Sequence, residues 1–193
     1  MRETILIIIV VFSIFIFIFM NKSEVTYIES YLDKTNYLVR NESDKYEAAN
    51  LLANIMGRIH QLRNHLIENK SNYPEYSDYI DRLANNLKPG YTQVYETEPG
   101  SEYTSYSVNK GEELVFCLRS KEDNKLHDIN LMMYVALHEI SHIACPEIGH
   151  TPLFKNIFAF FTKKADDLNL YKIIDYGEQP VEYCGMILSS SIV

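Results

Sequence analysis

The run His138-Glu139-Ile140-Ser141-His142 holds the residues in this chain best suited to chemistry. On a helix, positions four apart differ in direction by about 40°, so both imidazoles leave one face. Two ring nitrogens so placed can reach one Zn²⁺ at about 2.0–2.1 Å. Glu139 follows the first histidine, where a carboxylate can take a proton from an attacking water. The chemistry in view is metal-assisted hydrolysis. With six His and 17 Glu in 193 residues, random order gives this pattern only about 0.02 times.

A catalytic zinc site needs a third protein ligand and an open fourth position. Pro146 ends the helix soon after His142, and Glu147-Ile148-Gly149 can turn the chain back to His150. Thr151-Pro152 then reads as N-cap and first residue of a new helix carrying Leu153, Phe154, Ile157, Phe158 and Phe161. His150 thus stands at a rigid junction and is the expected third ligand. Glu147, or Asp166 and Asp167 on the next helix, are the acidic alternatives. Cys145 reads as a small packing residue, because a thiolate would close the site.

The elements that must position these residues follow from periodicity. Asp128 or Asn130 begins the helix that carries His138. Leu114–Leu118 is apolar enough to be a buried strand, and Thr92–Tyr95 and Thr104–Val108 read as two more, with a turn at Asn109-Lys110-Gly111. Leu51, Leu52, Ile55, Ile59, Leu62 and Leu66 recur at helical steps, predicting a helix from Asp44 to about Asn69. His60 and His65 lie on it five apart, too far around the helix to chelate together. A second helix is expected around Tyr76–Leu87. Residues 23–43 read as a stalk with one short helical stretch at Val25, Ile28, Tyr31 and Leu32.

The net charge of −8 is the wrong sign for a protein that tracks nucleic-acid phosphates. Three Cys exclude a full disulfide framework; Cys117 and Cys184 pair if the domain faces an oxidising compartment and stay free otherwise. From Ile5 to Phe19 nearly every residue is Ile, Val, Phe or Leu. Thr4–Met20 is close to the minimum length of a membrane-crossing helix, and no small-residue cleavage pattern follows it. A cleaved signal peptide and a buried core helix are the rival readings. The expected organisation is a transmembrane anchor at 1–22, a juxtamembrane stalk at 23–43 and a zincin-like metallopeptidase domain at 44–193, a single-pass membrane localisation. Lys22, Lys34 and Arg40 after the run favour one orientation, and the sequons at Asn21, Asn41 and Asn69 the other.

The set His138-Glu-x-x-His142, Gly149-His150 and Phe154 resembles the WLM and SprT-like zincin metallopeptidases, over roughly residues 112–165. Similar proteins occur in large DNA viruses. The resemblance implies an α+β, zincin-like minimal metalloprotease domain: a small sheet packed on the active-site helix, here with N-terminal helices and one transmembrane helix. Together with the N-terminal apolar run, it implies a membrane-anchored zinc-dependent endopeptidase, with His138, His142 and His150 as Zn²⁺ ligands and Glu139 as general base. The partner would be a protein or peptide substrate, aligned by an edge strand around Leu114–Leu118. A non-catalytic zinc-binding membrane protein with a zincin fold is the alternative. Two departures stand out: seven residues separate His142 from His150, and Thr151 stands where the family often has Asp. No basic segment is present, so no nucleic-acid partner is expected and the membrane is engaged through the N-terminal helix. Tyr176 or Tyr183, in the C-terminal run, could stabilise a tetrahedral oxyanion.

Overall fold

The computed structural model describes residues 10–13 and 23–193. Five strands form one sheet: β1 (Val25–Glu29), β2 (Asn36–Arg40), β3 (Gln93–Glu96), β4 (Tyr106–Val108) and β5 (Glu113–Phe116). Their order is β1-β2-β3-β5-β4. The β2/β3 and β3/β5 pairs are parallel, and the two outer pairs are antiparallel. Among the described residues 23–193, four α-helices accompany the sheet: α1 (Lys45–Glu68), α2 (Ser77–Asn86), α3 (Ile129–Ala144) and α4 (Pro152–Asp167). A separate hairpin, β6 (Val181–Tyr183) and β7 (Met186–Leu188), follows. This is the expected mixed α+β architecture.

The long helix α1 forms because its apolar residues make one stripe. Leu52, Ile55, Ile59, Leu62 and Leu66 are fully buried, at alternating steps of three and four that keep them on one face. That stripe packs on β1, β2 and β3 and against α3. The helix α3 has buried residues almost all round, as befits an element enclosed by α1, α2, α4 and β4. Asp128 caps it, its side chain accepting from the amides of Asn130 and Leu131. Thr151 caps α4 by accepting from the Phe154 amide, with Pro152 in the first turn.

Three expectations are corrected. Residues 23–43 contain β1 and β2 rather than a helical stretch. The alternation that buries Tyr37 and Val39 against α1 governs the segment, and the helical spacing of Val25, Ile28, Tyr31 and Leu32 is coincidental. Second, Leu114–Leu118 is not an edge. β5 lies between β3 and β4 with both sides paired, so β4 is the edge strand on that side. Third, among the described residues no helix is long and apolar enough to cross a membrane. α1 has the length, about 36 Å, but it carries Lys45, Glu47, Arg58, Arg63 and Glu68. The apolar run at 4–20 lies outside the described residues, apart from 10–13. The membrane localisation is therefore set aside.

Candidate active site

The site begins with α3. His138 and His142 project from one side of the helix, one turn apart, toward the loop that returns from its C-terminus. Pro146 ends the helix: Cys145 adopts the extended conformation (ψ 128°) expected before proline. Gly149, at φ 83°, supplies the left-handed turn that brings His150 back over the helix. Capped α4 then carries Phe154 beneath all three imidazoles. Its ring stacks on His142 at 4.1 Å between centroids and meets His138 and His150 at 5.0 Å each.

The three histidine Nε2 atoms converge. His138 to His142 is 3.2 Å, His142 to His150 3.2 Å, and His138 to His150 3.0 Å. Three nitrogens each about 2.0–2.1 Å from a tetrahedral Zn²⁺ stand about 3.3 Å apart, so the donor set fits that ion. Among the described residues this trio is the group of three or more metal-ligating side chains able to share an ion. The acidic alternatives do not converge with the trio, although Glu147 lines the cavity above it. Asp166 accepts from the Ile173 amide, Asp167 pairs with Lys164, and neither these nor Glu147 belongs to the convergent group. Cys145 is buried and free.

Burial sets the protonation of the site. It pushes His138 down to about 3 and His142 to about 4, with neighbouring imidazoles adding to the effect. Neutral imidazole is the ligating form. Glu139, 5% exposed, is pushed up to about 7 by burial, into the range where a carboxyl group can both accept and release a proton. His60 and His127 are half-buried away from the trio, also lowered by burial, and His65 lies on α1.

A cavity of about 680 Å³ opens over the trio and includes Glu139. Its walls come from several segments, among them the β4–β5 turn at Asn109 and Lys110 and the Glu147–Gly149 loop. Thr104–Ser107 of the β4 segment form one side, Tyr134 and Val135 of α3 form the floor beside His138, and Tyr183, Met186 and Leu188 of the C-terminal hairpin form the other. That hairpin is held by a Cys117–Cys184 disulfide, with Cα atoms 6.1 Å apart. The Tyr183 hydroxyl shares a hydrogen bond with Ser105 Oγ, which also accepts from the Cys117 amide at 3.1 Å. Of the two tyrosines singled out in the sequence, Tyr183 lines the cavity, whereas Tyr176 packs against Tyr134. Beyond Tyr183, the other cavity residues of the hairpin, Met186 and Leu188, and Ser105 and Lys110, which also line the cavity, were not legible as site residues: each comes from a segment distant in sequence and carries no motif.

No protein-family model matches the chain. Its described fold is similar to the crystal structure of Wss1 from Saccharomyces cerevisiae, with a TM-score of 0.51 and 20% identity over 68% of this chain and 88% of that one. That likeness shows the fold. In sequence, the chain is 38% identical over 69 residues to uncharacterized protein 136R of Invertebrate iridescent virus 6, covering 35% of this chain and 38% of that protein. It is 46% identical over 172 residues to uncharacterized protein R325 of Acanthamoeba polyphaga mimivirus, covering 89% of this chain and 86% of the relative. An identity of that size over nearly the whole length means that the chain belongs to the viral protein family that includes mimivirus R325.

Proposed function

We propose that this protein is a zinc-dependent endopeptidase. The observation that carries the reading is the convergence of three Nε2 atoms within 3.0–3.2 Å on the floor of an open cleft that also holds the buried carboxyl of Glu139. His138, His142 and His150 would hold the ion. Zinc bound there would supply Lewis acidity toward the scissile carbonyl and the attacking water. Glu139 takes the proton of that water and delivers it to the leaving amine. β4, the edge strand beside the cleft, offers unpaired main-chain groups to an extended peptide, the role expected of Leu114–Leu118. The walls supplied by Tyr134, Val135, Met186 and Leu188 favour apolar side chains near the scissile bond.

The test is Glu139→Gln in the full chain. The variant is expected to keep near-stoichiometric zinc and to lose cleavage of a denatured protein substrate by at least about 10²-fold, the usual scale of general acid–base catalysis. Cleavage at the parent rate overturns the reading, as does a parent chain that binds no zinc.

A further inference from the structure

The active-site helix ends on a defect. In an α-helix each carbonyl accepts from the amide four residues on, so the carbonyl of His142 would look to residue 146. Residue 146 is proline, which has no N–H to give. The carbonyl left without its donor belongs to a residue of the histidine trio.

A side chain from a turn of the sheet fills the gap. Lys110 sits in the turn between β4 and β5. Its Nζ donates to the carbonyls of His142 at 2.8 Å, Cys145 at 2.8 Å and Glu147 at 3.3 Å. An ammonium has three hydrogens, and all three are used. The charge also lies at the C-terminus of α3, where the helix dipole favours a cation. The three carbonyls follow the chain from His142 into the loop that leads to His150, so one ammonium ties helix end and loop together.

The turn is built to deliver that side chain. Asn109 and Lys110 both have positive φ, 47° and 58°, and Gly111 follows at 117°. A Cβ on Gly111 would meet the Asn86 carbonyl oxygen at 2.9 Å, so the turn can sit this close to α2 only with glycine there. The Gly111 carbonyl accepts from the Thr92 hydroxyl at 2.8 Å, and the Asn109 side chain bonds Glu112. A lysine held in left-handed backbone is uncommon, and here it points at the end of the active-site helix.

We propose that Lys110 is a positioning residue for the metal centre: its ammonium replaces the amide that Pro146 lacks and holds the 145–149 loop so that His150 meets His138 and His142. The proposal rests on the metal-centre reading above. Partners that hydrogen-bond a ligand's own side chain change metal affinity by about 10- to 100-fold, and a clamp on the main chain beside the ligands belongs at the lower end of that scale. Lys110→Met, which keeps most of the stem, is expected to weaken zinc binding by about tenfold in chelator competition. Lys110→Gln, which keeps two donors without the charge, should fall between.

A double-mutant cycle with His150→Ala separates positioning from general stability. If Lys110 acts through His150, Lys110→Met costs nothing further in zinc affinity once His150 is gone. Additive losses, or unchanged zinc affinity in Lys110→Met, overturn the proposal; if that variant fails to fold, the same readings are taken on Lys110→Gln. Amide exchange on the metal-free full chain gives an arm that does not depend on zinc. Faster exchange confined to the 145–150 loop in the variant supports the clamp, and unchanged exchange there overturns it. A parent chain that binds no zinc, with exchange in the loop still dependent on Lys110, sinks the metal-centre reading and leaves the clamp standing.

Discussion

Asp44 stands where an N-cap belongs, yet its side chain makes no capping bond to the first turn of α1. Its carboxylate instead accepts from Arg119 Nη1 at 2.6 Å, while Arg119 Nε reaches Glu96 at 2.7 Å. Arg119 and Glu96 are almost wholly buried. The bond from Arg119 holds Asp44 below its ordinary value, with burial opposing it. A carboxylate whose folded value is lowered adds stability above its unfolded value and loses it as pH falls through the folded one. Asp44→Asn should therefore destabilise the protein above about pH 4, and the difference from the parent should vanish in stronger acid. Urea midpoints of both proteins across pH check this; a constant difference at all pH values would assign the effect to packing instead. Glu139 and the three histidines show the complementary case. Their types and spacing announce the chemistry, because one helical turn sets the geometry of His138 and His142 whatever surrounds them.

At the scale of elements, the C-terminal hairpin is joined to the rest through long-range links. It forms its own two-stranded sheet, and its two-residue turn, Cys184-Gly185, has positive φ at both positions, the turn class that suits strand twist. The Cys117–Cys184 bond closes a sequence separation of 67 residues. In the loop-entropy account a closure of that size contributes about 4 kcal/mol. The double substitution Cys117→Ser/Cys184→Ser should lower unfolding free energy by about 2–5 kcal/mol and raise amide exchange in β6 and β7 above that in α3. Denaturant unfolding and exchange read both; a hairpin as protected as before would mean that Tyr183 and its bond to Ser105 suffice. The cysteine pair was one of two open readings in the sequence, since pairing needs the end of β5 and the hairpin turn to meet. The same limit explains the edge strand. Leu114–Leu118 is visibly apolar, but apolarity cannot say whether both sides of a strand are paired.

For the whole molecule, an ion held by the histidine trio would tie α3, the 145–149 loop and the start of α4 together. An ion bound by the folded chain alone stabilises it by mass action, about 2.7 kcal/mol at 100 times the dissociation constant. Zinc at that excess should raise the thermal midpoint, and a chelator should reverse the rise; a midpoint indifferent to both would mean that the trio binds no ion in the folded chain.

What the sequence determined by itself was local. The step of four between His138 and His142, the caps at Asp128 and Thr151 and the stripe of α1 are set within a few residues by backbone geometry and hydrogen bonding. So is the junction at which His150 stands, between a glycine turn and a capped helix. Tertiary structure decided the rest. It paired β1 and β2 into the sheet, made β4 the edge, and brought Phe154 under three imidazoles. It also carried Lys110 to a carbonyl 32 residues away. Those contacts arise from burying several elements against one another at once, and no spacing along one chain segment encodes which distant side chain will meet it.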